Sequence, residues 1–403
     1  MKRILALFLA AAMLLLAACG DNGASSSVDS AVSDETVSTA ESDVDSSATA
    51  SKSVVPEVND YSEHTYNVTE ITEYLKLDGR YAVTDTGAEL GSEKCISFDN
   101  TAQMIAFNAD CEGDVIINMT LKVGVEERRR SHYYTVYVDG VEQERASVAG
   151  LPGVTSKQRM TVATGLKKGE HSFKIYRQSE LLHGIENIVS ITMHGVPTAR
   201  PADSELYIEF LGDSITAGYG DLTVTSDNDD PSGTAKSDGT QTYAFLAAQK
   251  LGADLSVVAR SGLSFSYDDI EKYWRNVSFS RDNLGKYGFE RKPDVVVINL
   301  GTNDHNNYEK KGLSLDDVEK KAEELLKMVR EDCPDSKIVW MYGMMGSNIS
   351  EQIKTAIANA GGADSGIYYL QGEQNFEGGG WHPSVSGHKD NAKILADFIK
   401  TIL

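Results

Sequence analysis

Cysteine is scarce in this 403-residue chain, four in all, and no two of them have the spacing of a metal-binding pair. That excludes a module folded around cysteine-bound metal. Basic charge is also short, because 38 Lys and Arg face 60 Asp and Glu and leave a formal net charge of -22. Nothing supplies the basic stripe that a phosphate backbone demands, so a nucleic-acid partner is excluded. The α/β-hydrolase signature GxSxG is absent, which disfavours that type, and so is the zinc-protease motif HExxH. A two-metal phosphoesterase cluster needs more His and Asp ligands than the second half of the chain offers. The Asp-bearing stretch 221–239 lacks EF-hand spacing and reads as a solvated loop near an active-site mouth. No metal or other cofactor is expected.

What is present begins with an apolar N-terminus. MKRILALFLAAAMLLLAACG carries Lys2 and Arg3, then an apolar run, then small residues before Cys19, the pattern of an export signal rather than of a folded element. Its L-A-A-C ending resembles the bacterial lipoprotein lipobox, which implies lipidation of Cys19, residues 1–19 as signal and lipid site, and an extracytoplasmic protein anchored to the cell membrane. An uncleaved membrane anchor is the alternative reading. Residues 20–60 are Ser, Ala, Thr, Val and acids with almost no aromatics, too poor in apolar surface to offset the entropy of ordering. They read as a tether of roughly 40 residues with a reach of about 35 Å. Cys95, Cys111 and Cys333 then remain, and a Cys95–Cys111 disulfide stands open against two separate buried thiols.

Two textures follow. Over 61–200 short runs such as CISF (95–98), VIINMTLKV (115–123) and YYTVYV (133–138) alternate with turn signals, including Asp139-Gly140, and GLKKGEHSFKIY (165–176) reads as a further turn and strand. This predicts an all-β sandwich of jelly-roll type. Over 201–403 strand patterns at 206–211, 254–259, 295–300, 337–342 and 366–370 alternate with helical ones at 242–251, 315–332, 350–360 and 384–403. Ser314 and Asp317 suit a capping box for the second helix. Apolar strands alternating with helices predict a three-layer α/β domain with a parallel sheet.

In such a sheet the chemistry gathers at the carboxyl ends of the strands. The first strand is followed by Gly212-Asp213-Ser214, the second by Arg260-Ser261-Gly262, the third by Gly301-Thr302-Asn303-Asp304-His305, and the fifth by a glycine-rich loop bearing His382. A hydroxyl is a weak nucleophile at neutral pH and needs an imidazole to take its proton, while the oxyanion that forms needs fixed N–H donors. The residues therefore predict Ser214 as nucleophile and His382 as base, with the N–H groups of Ser214 and Gly262 and the amide of Asn303 as oxyanion donors. His305 is placed to touch substrate or to cap a loop. Trp381 is a candidate sugar contact, whereas Trp340 and Tyr342 read as packing.

GDSIT at 212–216, Gly262, GTND at 301–304 and HP at 382–383 resemble the four blocks of the SGNH hydrolase superfamily. With a β-sandwich in front, and with GDSITAGYG and WHPSVSGH as they stand, the chain is similar to the family 2 carbohydrate esterases. The resemblance implies a serine esterase that removes acetyl groups from polysaccharides such as xylan and glucomannan. Two other readings stay open, a lipase or lysophospholipase-like esterase acting on longer acyl chains and an inactive surface polysaccharide-binding lipoprotein. The superfamily commonly carries an aspartate two or three residues before its histidine, where this chain has Gly380 and Gly379. The resemblance then implies a Ser-His dyad oriented by a main-chain carbonyl, with Glu377 or Glu373 as the alternative.

Overall fold

Among the described residues, runs rich in β-branched and aromatic residues from Glu63 to Pro197 form ten antiparallel strands. They are β1 (Glu63–Asn67), β2 (Leu75–Asp78), β3 (Ala82–Asp85), β4 (Lys94–Phe98), β5 (Met104–Val123), β6 (Ser131–Val138), β7 (Val141–Glu142), β8 (Ala146–Ala149), β9 (Thr155–Arg177) and β10 (Gly184–Pro197). The computed structural model describes residues 54–123, 131–224, 233–346 and 348–403. Cys19, the export signal and most of the expected tether lie outside the described residues. The folded body begins before residue 60, because Val55 is buried in the β core and the Asn59 amide donates to Asp110 O at 2.7 Å.

All ten strands share one hydrogen-bonded network with the path β3-β4-β10-β5-β9-β6-β7, and β1, β2 and β8 pair onto β10, β5 and β6. The strands are longer than the turn signals suggested. β5 has 20 residues and β9 has 23, and the expected turn within 165–176 is instead a bulged stretch of β9. There Gly113, Gly165 and Gly169 take positive φ angles while the register between β5 and β9 shifts, so both strands bend together without breaking. Asp139-Gly140 does make a two-residue hairpin, with φ of 52° and 76°, as a type I′ turn requires. Cys95, Cys111 and Cys333 are buried free thiols.

The second half forms a parallel sheet of β11 (Tyr207–Gly212), β12 (Asp254–Ala259), β13 (Val295–Asn299), β14 (Lys337–Tyr342) and β15 (Ile367–Gln371), in the order β12-β11-β13-β14-β15. Its helices are α1 (Ser214–Ala217), α2 (Tyr243–Leu251), α3 (Ile270–Arg275), α4 (Thr302–Asn307), α5 (Leu315–Asp332), α6 (Ser350–Asn359) and α7 (Val385–Ile402). Every residue of β11, β12 and β13 is buried, because helices and loops cover both faces of the sheet and each face has its own apolar cluster. The strand order reverses at β11, with β12 on one side and β13 on the other, so the crevice beyond the carboxyl ends of β11 and β13 is where such sheets place their ligands.

The two halves are fused rather than merely tethered. Ala102, Met104, Ala106 and Tyr176 from the antiparallel part lie in the same apolar cluster as Phe210, Tyr243 and Phe245. Arg80 Nη2 lies 2.8 Å from Glu209 Oε1 with both side chains fully buried, and the Arg80 guanidinium sits over the rings of Trp274, Tyr287 and Phe289. No helix of the described residues is long and apolar enough to cross a membrane.

Candidate active site

The strand β11 ends at Gly212 because the chain must turn hard there. A Cβ at Gly212 would stand 2.0 Å from Thr216 Oγ1, so only glycine lets the following turn fold back against the strand. Asp213 then caps the single turn of α1, its Oδ1 accepting from the Ile215 N–H at 3.0 Å. Burial pushes the Asp213 carboxyl up to about 7. Ser214 opens α1 and is 7% exposed. As the first helical residue its N–H has no partner within the helix.

His382 arrives from the loop between β15 and α7. Its Nε2 lies 2.8 Å from Ser214 Oγ and its Nδ1 lies 3.1 Å from the carbonyl oxygen of Gly380. A carbonyl only accepts, so Nδ1 carries the ring proton and Nε2 presents its lone pair to the serine hydroxyl. The acceptor is main chain, whereas Glu377 is engaged elsewhere, its Oε2 receiving Asn375 Nδ2 at 3.1 Å and Ser384 Oγ at 3.2 Å. Burial pushes the imidazole below its ordinary value, against the opposite pull of the Gly380 and Gly379 carbonyls. Tyr219, from the GDSITAGYG stretch, packs its ring 4.8 Å from that of His382 at 50°. The serine and histidine loops are also joined directly, since Gly379 N–H donates to Gly220 O at 2.8 Å.

Gly262 follows β12 with φ of 86° and nothing within 4 Å of the place a Cβ would take. Asn303, in α4, donates from Nδ2 to Leu263 O at 3.0 Å and, more weakly, to Asp213 Oδ2 at 3.4 Å. Asn303 therefore ties the blocks after β11, β12 and β13 together. Its neighbour Asp304 is buried and fixes the same loop, with Oδ1 accepting from Ser264 Oγ at 2.6 Å and from Ser266 N–H at 2.8 Å. Burial pushes Asp304 up as well.

The remaining expected residues divide. Trp381 is 65% exposed beside His382, with a left-handed φ of 64° that is uncommon for a non-glycine residue and turns the ring outward at the rim. His305 lies on α4 two residues past Asn303, half-buried, and among the described residues no hydrogen bond joins it to Ser214 or His382. His388 is buried in α7, where Nδ1 accepts from Tyr243 N–H at 3.2 Å and burial pushes the ring down to about 3. Trp340 and Tyr342 are core. Of the 221–239 stretch, residues 225–232 lie outside the described residues. Near its ends Asp221 and Asp238 are buried, and Asp221 Oδ1 accepts from the Asp238 N–H at 2.9 Å. Sequence reasoning missed Tyr219, although it stands in the same short block as Ser214, and missed Glu180, which reaches Ser261 from the antiparallel half.

Ser214 and His382 thus meet beyond the carboxyl ends of a parallel sheet of order β12-β11-β13-β14-β15. Residues 208–395 match the family described as GDSL-like Lipase/Acylhydrolase. The cellulase/esterase CelE of Acetivibrio thermocellus is 28% identical over 311 residues, 71% of this chain and 35% of that protein. The acetylxylan esterase / glucomannan deacetylase of Cellvibrio japonicus is 25% identical over 228 residues, 49% of this chain and 61% of that protein. The chain thus spans less than two thirds of the length of these relatives. A family two carbohydrate esterase from Clostridium thermocellum, solved with cellohexaose, superposes with a TM-score of 0.68 at 22% identity, over 81% of this chain and 98% of that one. At that identity the likeness carries the fold.

Proposed function

We propose that this protein is a serine esterase that removes O-acetyl groups from polysaccharides of the acetylxylan or glucomannan type. The observation that supports it most is the 2.8 Å contact from Ser214 Oγ to His382 Nε2 in a ring whose other nitrogen is fixed on Gly380 O. In this reading His382 takes the Ser214 proton as the hydroxyl attacks the acetyl carbonyl. The oxyanion is held by the N–H groups of Ser214 and Gly262 and by Asn303 Nδ2, whose long contact to Asp213 is the one that substrate displaces. The tetrahedral intermediate expels the sugar hydroxyl, which receives its proton from His382, and water attacking the acetyl-Ser214 ester repeats the cycle to release acetate. Exposed Trp381 offers a flat apolar face to a glycan at the rim. Lipidation at Cys19 and an extracytoplasmic position on the bacterial cell membrane belong to the same proposal, with the antiparallel half as a jelly roll over 61–200 and the hydrolase over 201–403.

The test is acetate release from acetylated xylan and glucomannan by the full chain, with Ser214→Ala and His382→Ala alongside. Release by wild type that vanishes in both variants is the expected result. Turnover of long-chain but not acetyl p-nitrophenyl esters would instead assign a lipase-like acyl pocket.

A further inference from the structure

The loop that carries Gly262 is held from outside the parallel sheet. Ser261, directly before it, donates its backbone N–H to Glu180 Oε2 at 2.7 Å and its hydroxyl to Glu180 Oε1 at 2.6 Å. Glu180 is 4% exposed and follows β9 in the antiparallel half. It is itself braced, because Arg177 Nη2 donates to the main-chain oxygens of Glu180 at 3.3 Å and Gly184 at 2.7 Å. Arg177 Nε lies 3.1 Å from Glu186 Oε1, and Glu186 is paired with buried His132. Two residues before Glu180, the Gln178 carbonyl accepts from the Gly239 N–H at 3.0 Å and from Thr101 Oγ1 at 2.8 Å. One three-residue segment of the antiparallel half thus grips two loops beside the dyad.

We propose that Glu180 is a positioning residue of the esterase, whose carboxylate sets the direction of the Gly262 N–H by clamping Ser261. The inference rests on the acyl-transfer reading above. Gly262 is exposed, with open space where a Cβ would stand and no side chain of its own to pack, so its restraint comes through its neighbours. Hydrogen bonds to an ionised acceptor are roughly twice as strong as neutral ones, and a two-point grip fixes both the position and the rotation of the Ser261 peptide. An oxyanion donor works only if it is aimed at where charge develops, so a clamp acting on its peptide changes the transition state and leaves ground-state binding alone. A carboxylate that merely glued the two halves together would alter melting without touching turnover, and the buried Arg80–Glu209 pair already serves as glue.

The experiment measures kcat and KM for p-nitrophenyl acetate in the full chain, with circular dichroism and thermal melting on each variant. Glu180→Ala is expected to lower kcat about 10²-fold, the loss typical of a misplacement near 1 Å, with KM unchanged. Ser261→Ala, which removes only the hydroxyl half of the clamp, is expected to lose less, and the double variant to be no slower than Glu180→Ala because the two losses share one interaction. Glu180→Gln, which retains one oxygen acceptor, is expected to fall between. Wild-type kcat in folded Glu180→Ala, or losses that simply add in the double variant, overturns the inference. If Glu180→Ala does not fold, Ser261→Ala decides, and undiminished kcat there overturns it. An active wild type with unchanged variants removes the Glu180 role alone, whereas a wild type inert towards every ester removes the proposed function and this inference with it.

Discussion

An imidazole that is to take the Ser214 proton must itself be neutral, and burial of His382 favours the neutral ring. Its acid form has no lone pair at Nε2, so activity should rise with pH as the imidazolium is lost. Because burial lowers the pKa, that rise belongs below the ordinary histidine value of 6.5. A profile of kcat/KM on p-nitrophenyl acetate is expected to reach its plateau after a midpoint under 6.5, and a midpoint above that value contradicts the picture of a desolvated base. Asn303 makes a second prediction at this scale. Asn303→Ala is expected to cost about 10²–10³-fold in kcat, the usual loss for one oxyanion donor, with the fold intact by circular dichroism. Ser214 and His382, which the structure brings into contact, were legible in the sequence because each stands in a polar block that follows a strand pattern. Glu180 and Tyr219 were not, since one comes from the other half of the chain and the other reads as an ordinary loop aromatic.

Among elements, the loops matter more than the helices they connect. Gly220 sits at φ 68°, and a Cβ there would stand 2.8 Å from the carbonyl oxygen of Gly379. Main chain cannot yield as the end of a flexible side chain does, so Gly220→Ala must push the histidine loop away from the serine loop. The expected outcome is a kcat loss greater than that from alanine at exposed Lys321 on α5, checked by steady-state kinetics of both variants. The helix α5 itself was readable to its last residue, with the Ser314–Asp317 capping box formed as expected, because caps and periodicity are local signals. Strand length in the first half was not readable. The glycines that look like turns in β9 are bulges, and a bulge differs from a turn only through the partner strand, which no local window contains. The short helices α3 and α4 escaped for a similar reason, being too brief to show a period.

For the whole molecule, the shared cluster around Tyr176 and Phe210 makes the two halves one cooperative body. A single calorimetric unfolding transition is expected, and two well-separated transitions would contradict it. Arg80→Ala should lower that transition sharply, since removing one partner of a buried ion pair typically costs about 3–5 kcal/mol. The change of texture near residue 200 was visible in the sequence, but the fusion was not, because Arg80 and Glu209 each look like ordinary surface charges until the fold brings them together. Gly380 carries a last consequence. Every amino acid brings a carbonyl with it, so the group that steadies the imidazole is encoded by the path of the chain and not by any side chain. Natural selection can let the letters at that position drift without losing the contact, provided the replacements still allow the bend. A letter-by-letter comparison of sequences then sees only a glycine at a position where the structure holds a carbonyl against the imidazole.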